Sequence, residues 1–252
     1  MRRTETDARI PGERARPPSS IATLLAICRV SNLPTVWMNV AAAAALTGAV
    51  PGIEAVALLF LSLSAFYCTG MVLNDIFDRE WDAEHQPFRP IPAGDLGLRC
   101  AWLLAAALMA VAFACLVADP HSSAVVPGGV LLGLIFAYDR VHKRFSGSVF
   151  IMAGTRTMVF VVTSWALVAS VPPLVLLGGA VQFLYTLLVT AVSRREQTRG
   201  ARYGFPLIPR MIAGMSLVDG SLLAIAVHPA WLIAGIAAAT ITRVWQRYVR
   251  GE

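Results

Sequence analysis

The stretch Ile53-Glu54-Ala55-Val56-Ala57-Leu58-Leu59-Phe60-Leu61-Ser62-Leu63-Ser64-Ala65-Phe66-Tyr67-Cys68-Thr69-Gly70-Met71-Val72-Leu73-Asn74-Asp75-Ile76-Phe77-Asp78-Arg79-Glu80-Trp81-Asp82 joins a long apolar run to a cluster of acids. A spanning helix needs roughly 20 mainly apolar residues, and residues 53–73 supply them. The acids follow where the membrane surface would lie. At helical pitch Asn74, Asp75, Asp78 and Asp82 project within an arc of about 100°, so their oxygens are expected to converge on a common point. That is a docking face for a hard divalent cation. Magnesium takes one or two protein carboxylates and fills its other positions with water and phosphate oxygens, which suits an Asp cluster facing a diphosphate. The plainer alternative is a solvated acidic loop between two membrane helices. The regular spacing, and the Pro-rich run Arg89-Pro90-Ile91-Pro92-Ala93-Gly94 that follows, favour a site.

Outward from this stretch the chain keeps the same character. Hydrophobic residues make up 57% of it and charged residues only 14%, with a mean hydropathy of +0.65. A soluble domain would have to bury these runs with little charge left to cover its surface. The fold class expected is all-α: a polytopic membrane protein, a bundle of about eight (eight or nine) transmembrane helices around a central cavity. The spans are expected near 33–50, 53–73, 100–118, 123–138, 149–170, 173–192, 207–226 and 228–246. Residues 1–20 are polar and Arg- and Pro-containing, without an apolar core, and read as a disordered cytoplasmic tail. Residues 21–252 then form the transmembrane domain. Cys28, Cys68, Cys100 and Cys115 show no metal-binding spacing and lie in or beside apolar runs.

Basic residues in short loops are retained on the cytoplasmic side. Here they alternate: Arg2, Arg3, Arg9, Arg14, Arg16 and Arg29 in the N-terminal tail, then Arg79, Arg89 and Arg99, then Arg140, Lys143 and Arg144, then Arg194, Arg195, Arg199 and Arg202 with Arg210 just beyond, and finally Arg243, Arg247 and Arg250. The loops around Val50-Pro51, Ala118-Asp119-Pro120, Val171-Pro172-Pro173 and His228-Pro229 carry none. Both termini and the acidic loop are therefore expected to face the cytoplasm, in a multi-pass protein of a bacterial plasma membrane. The net charge of +6 reads as topology and lipid contact, and nothing in it suggests nucleic acid.

The run Asn74-Asp75-x-x-Asp78-x-x-x-Asp82 followed by Arg89-Pro90-Ile91-Pro92-Ala93-Gly94 resembles the first aspartate-rich motif of the UbiA superfamily of intramembrane prenyltransferases. Tyr138-Asp139-Arg140-Val141-His142-Lys143-Arg144 is similar to that family's Tyr-x-x-x-x-Lys-Arg segment. Arg29-Val30-Ser31-Asn32-Leu33-Pro34-Thr35-Val36-Trp37 and Ser193-Arg194-Arg195-Glu196 look most like its EboC-type branch. The resemblance implies transfer of a prenyl group from an allylic polyprenyl diphosphate to a small acceptor, often an aromatic ring. Mg²⁺ would bridge the diphosphate to Asn74, Asp78 and Asp82, with Asp75 beside them. Physically, the metal and nearby cations neutralise charge developing on the leaving diphosphate. Lys143 and Arg144 are placed to add to that charge, and Tyr138 and Arg89 to reach the same anion. Positive-inside retention is the alternative reading of Lys143 and Arg144.

The family's second motif, Asp-x-x-x-Asp, is replaced here by Ser193-Arg194-Arg195-Glu196-Gln197, where only Glu196 keeps a carboxylate. Either Arg194 or Arg195 clamps the diphosphate in place of a second metal, or the chain binds a prenyl lipid without turning it over. Inside the spans, Arg156 lies about 12 Å into its helix and could reach a diphosphate at the cytoplasmic mouth. Asp219 is expected near the outer interface and solvated. Asn39 is a candidate for orienting the acceptor or for helix adhesion. A transporter is a third reading, suggested only by Arg156 and Asp219. The sequence identifies no protein partner beyond the lipid bilayer and the two substrates.

Overall fold

A computed structural model of the chain describes residues 20–118, 122–199 and 207–249. Among these the fold is all helical, with nine α-helices: α1 Ser20–Ile27, α2 Leu33–Leu46, α3 Ile53–His85, α4 Leu98–Ala118, α5 Val125–Val141, α6 Ser148–Val168, α7 Pro173–Arg199, α8 Leu207–Ala226 and α9 Trp231–Trp245. Five of them, α3, α4, α6, α7 and α8, are long and apolar enough to cross a membrane individually. Helix α1 and the Val30–Leu46 segment, which bend by 52° at the break between them, are together long and apolar enough for a sixth crossing. Helices α5 and α9 are shorter, at 17 and 15 residues. With the bent pair as one traverse, the expected eight elements are all present, and the ends of most fall within a few residues of the expected spans.

Besides α7, which runs past the expected 192 to Arg199, two boundaries differ. The polar tail is expected to end at residue 20 and the first span to begin at residue 33, but Ser20–Ile27 is already helical and Val30–Asn32 forms a 3₁₀ turn. The break falls at Arg29, whose backbone is left-handed (φ 44°), a conformation that cannot continue an α-helix of L-residues. The rest of the expected tail lies outside the described residues. The second difference is α3. The acidic run was expected in a loop beyond residue 73, yet α3 continues to His85 and stops where Gln86 precedes Pro87, a residue pair that disfavours helix. At 1.5 Å per residue its 33 residues extend about 50 Å, against roughly 30 Å of hydrocarbon, so the last turns stand clear of the membrane.

Helix α2 is central and packs against α3, α6, α7, α8 and α9. In lipid, apolar side chains give no hydrophobic drive between helices, so polar contacts and close backbones hold the bundle. Ser62 Oγ donates to the Ala112 carbonyl (2.8 Å), Trp37 Nε1 to Ser64 Oγ (2.9 Å), and Tyr185 Oη to the Met211 carbonyl (2.9 Å). Helices α8 and α9 meet through glycines. A Cβ at Gly220 would lie 2.8 Å from the Gly235 Cα and 3.1 Å from the Trp231 carbonyl oxygen. Both obstacles are backbone, so Gly220→Val is expected to destabilise the chain by about 1–3 kcal/mol. Thermal unfolding in detergent checks this; an unchanged midpoint would show that α9 can move aside.

Candidate functional site

One stripe of α3 builds the site. Leu63, Phe66, Tyr67, Gly70, Met71 and Asn74 recur at spacings of three and four and line a cavity of about 170 Å³. At that pitch they share a helix face. Leu131, Ile135, Tyr138 and Asp139 of α5, and Met152, Thr155, Arg156 and Val159 of α6, form the facing walls, with Val36 and Arg29 closing the α2 side. Gly70 lets α5 come close, since a Cβ there would lie 3.3 Å from Ile135 Cγ2. The body of the cavity is apolar. Its polar end is where Arg29, Asn74, Tyr138 and Asp139 meet.

Asp78 and Asp82 continue the α3 stripe past that end, and Asp75, Asp78 and Asp82 each face a cation. Arg29 Nη2 donates to Asp75 Oδ1 at 2.8 Å and Nη1 lies 3.0 Å from Met71 Sδ. Arg89 Nη1 reaches Asp82 Oδ2 at 2.7 Å and Asp75 Oδ1 at 3.3 Å. Lys143 Nζ meets Asp78 Oδ1 at 2.8 Å and also stands 4.3 Å above the Trp81 ring. His142 Nε2 lies 3.2 Å from Asp78 Oδ2, and its ring stacks on Tyr138. Burial pushes the His142 imidazole down, but the Asp78 and Asp139 carboxylates outweigh it and hold the ring above its ordinary pKa. The acids therefore divide into two groups, Asp75 and Asp82 against Arg29 and Arg89, and Asp78 against Lys143 and His142. Among the described residues no three His, Cys, Asp or Glu side chains already stand together as a cation site.

Two features nonetheless suit an added cation. Asp82 Oδ1 and Asp139 Oδ2 are buried carboxylate oxygens with no hydrogen-bond partner, and a buried acceptor left unpaired is costly. With Arg29, Arg89 and Lys143 already facing Asp75, Asp78 and Asp82, and Asp139 as a fourth carboxylate, an anion arriving here would need further positive charge.

The remaining candidates are dispersed. Arg144 is exposed and stands apart from the cluster. Arg194 extends from α7 to the turn between α5 and α6, where it donates to the Ser146 carbonyl and to Ser148 Oγ (both 2.6 Å) and to the His142 carbonyl (3.3 Å). Glu196 and the exposed Arg195 lie on the last turns of the same helix. Arg156 is 8% exposed and donates to Asn39 Oδ1 at 3.0 Å. Asn39 is not among the lining residues; it backs Arg156 and passes a hydrogen bond on to Asp219 Oδ2 (2.5 Å). Asp219 is a correction. Instead of being solvated it is fully buried, because α8 packs on α2, α7 and α9, and its other oxygen accepts from Gln182 Nε2 at 2.6 Å. This chain of amides and charges joins α2, α6, α7 and α8 in mid-membrane.

Arg29, Tyr67, Asp139 and His142 were not singled out from the sequence. From sequence Arg29 reads as part of the charged tail, although it sits just before Ser31-Asn32-Leu33-Pro34 at the edge of the first span. Asp139 stands three positions before His142 and four before Lys143, spacings that bring side chains together at helical pitch, a signal present in the sequence.

The UbiA prenyltransferase family model matches residues 32–250. A digeranylgeranylglyceryl phosphate synthase of Ignicoccus hospitalis is 40% identical over 87 residues, which is 34% of this chain and 28% of that protein. A probable chloroplastic homogentisate phytyltransferase 2 of Oryza sativa subsp. japonica is 31% identical over 102 residues, 38% of this chain and 27% of that protein. The matched segments thus span less than a third of these relatives' own length. The solved structure of a UbiA homologue from Archaeoglobus fulgidus bound to GPP and Mg²⁺ superposes with a TM-score of 0.57 at 16% identity, covering 90% of this chain and 97% of that one. The apo structure of a UbiA homologue from Aeropyrum pernix K1 gives 0.59 at 18% identity, covering 88% and 90%.

Proposed function

Because the chain belongs to the UbiA prenyltransferase family, we propose that it is an integral membrane prenyltransferase that moves a prenyl group from an allylic polyprenyl diphosphate to a small acceptor with the help of Mg²⁺. The observation that carries this is one cavity with an apolar body and a polar end, set directly beneath Asn74, Asp78 and Asp82 on a single helix. A prenyl chain suits the body and a diphosphate the end.

In this reading Asn74, Asp78 and Asp82 hold Mg²⁺, with Asp75 beside them. When bound, Mg²⁺ neutralises the negative charge that gathers on the leaving diphosphate. Arg29, Arg89 and Lys143 face these carboxylates in the structure, and in the substrate complex they turn part of their charge to the diphosphate. Arg suits a forked contact with phosphate oxygens and Lys a point contact. The apolar walls exclude water, so the allylic carbon released from its oxygen meets the acceptor instead of being hydrolysed. Tyr67 and Tyr138 offer ring faces to that carbon's positive charge. Arg194, tied to the α5–α6 turn, supports the segment that carries His142 and Lys143. The alternation of loops rich in Lys and Arg with loops that lack them supports a cytoplasmic motif end.

Geranylgeranyl diphosphate is expected to bind the detergent-purified chain in Mg²⁺ and to lose at least about tenfold in affinity when EDTA removes the metal. Binding that ignores EDTA would overturn the role given to Mg²⁺. No binding in either condition would overturn the prenyl-diphosphate reading itself.

A further inference from the structure

We propose that Asp139 is a cation ligand of this site, and that Asn74, Asp78 and Asp139 form a three-oxygen seat for a divalent cation shared between α3 and α5. The inference rests on the reading of the cavity as a prenyl-diphosphate site and names a ligand that reading does not contain. Its starting point is the end of α7. There the chain carries Ser193 and Arg194, and Arg194 fixes its guanidinium on the α5–α6 turn. Helix α7 thus delivers a cation to that turn.

Asp139 stands at the polar end of the cavity and is 6% exposed. Its Oδ2 has no hydrogen-bond partner. Its Oδ1 receives only a 3.3 Å contact from Asn74 Nδ2. A buried carboxylate so poorly satisfied is costly unless a cation joins it. The same Asn74 Nδ2 lies 3.5 Å from Asp78 Oδ2. The amide NH₂ therefore sits between two carboxylates, at lengths at or beyond the ordinary hydrogen-bond range. It holds the place of a positive group between them.

Turning that amide half a revolution exchanges its nitrogen for its oxygen with almost no change of shape, and converts a donor into an acceptor. Asn74 Oδ1, Asp78 Oδ2 and the Asp139 carboxylate then present three hard oxygens, with the other positions left to water and phosphate oxygens, as Mg²⁺ prefers. His142 Nε2, now 3.2 Å from Asp78 Oδ2, gives way to the cation, while Lys143 keeps its 2.8 Å contact with Oδ1. A seat with two carboxylates completed by an amide also accords with there being no group of three His, Cys, Asp or Glu side chains in place among the described residues.

Binding of Mn²⁺ alone, followed by electron paramagnetic resonance on the detergent-purified full chain without prenyl diphosphate, tests this. Asp139→Asn is expected to weaken Mn²⁺ binding at least about tenfold. Asp139→Cys is expected to shift preference from Mn²⁺ toward Cd²⁺ relative to the native chain, because a thiolate favours the softer ion; lost packing alone would not produce that shift. Native-like Mn²⁺ binding in Asp139→Asn overturns the proposal, as does an Asp139→Cys chain with unaltered ion preference. A native chain that binds no Mn²⁺ also overturns it. If Glu196→Gln carries the loss instead, the seat lies on α7 and the proposal falls. Since no prenyl diphosphate is present, failure of the broader functional reading would show separately, as absent Mg²⁺-dependent lipid binding.

Discussion

The double variant Asp78→Asn, Asp82→Asn is expected to lose Mg²⁺-dependent binding of geranylgeranyl diphosphate and to reduce prenyl transfer by roughly 10³-fold or more. Asn keeps the shape of each side chain and removes the charge a hard cation needs. The two positions differ in their effect on folding. Asp82 is fully buried against Arg89 at 2.7 Å, whereas Asp78 faces Lys143, whose side chain is 34% exposed. A buried cation stripped of its partner costs about 3–5 kcal/mol, so Asp82→Asn alone should lower the melting midpoint more than Asp78→Asn alone. Size-exclusion profiles and thermal unfolding in detergent separate loss of fold from loss of site. A folded double variant that still binds the diphosphate only with Mg²⁺ would remove the α3 carboxylates from the site.

The second large effect is expected at Arg29. Arg29→Ala leaves Asp75, 2% exposed, with only the longer Arg89 contact of 3.3 Å. The expected loss of stability is about 3 kcal/mol, at the lower end for a broken buried pair because Arg89 remains. Diphosphate affinity should fall roughly tenfold to a hundredfold with the loss of a forked donor. Arg29→Lys should restore stability in part and affinity less, since an ammonium cannot reproduce the fork toward Met71 and Asp75. The left-handed backbone at this residue supplies an internal control. Arg29→Gly should be about 1 kcal/mol more stable than Arg29→Ala, because glycine adopts that conformation without penalty. If Ala and Gly variants bind and melt like the native chain, Arg29 is a bystander.

Much of this arrangement is legible in the residues themselves. Apolar runs bounded by Pro, Gly and charge locate α4, α6, α8 and the start of α7 closely, because a membrane span is set by length and hydropathy alone. The pitch of Asn74, Asp78 and Asp82 points to a shared face, and the structure puts them on one helix. The partners of those acids were harder to foresee. Arg29 pairs with Asp75 across 46 positions of sequence and His142 with Asp78 across 64; no local periodicity encodes such pairings. Asp219 was misplaced for a related reason. Depth along a helix can be read from sequence, but whether a residue faces lipid, solvent or three other helices depends on how the bundle closes. The continuation of α3 through its acidic turns was missed because acids after an apolar run look like the exit from a span. Nothing interrupts the helix until Pro87.

That continuity makes α3 a ruler. Leu63 lies in the cavity wall and Asp78 stands at the charged end, on one unbroken helix, separated by about 22 Å at 1.5 Å per residue. In most enzymes, a binding pocket and the groups that act on its contents sit on separate elements, and loop motion blurs the distance between them. Here one helix carries both marks, so the distance between them is set in helical turns of about 5.4 Å.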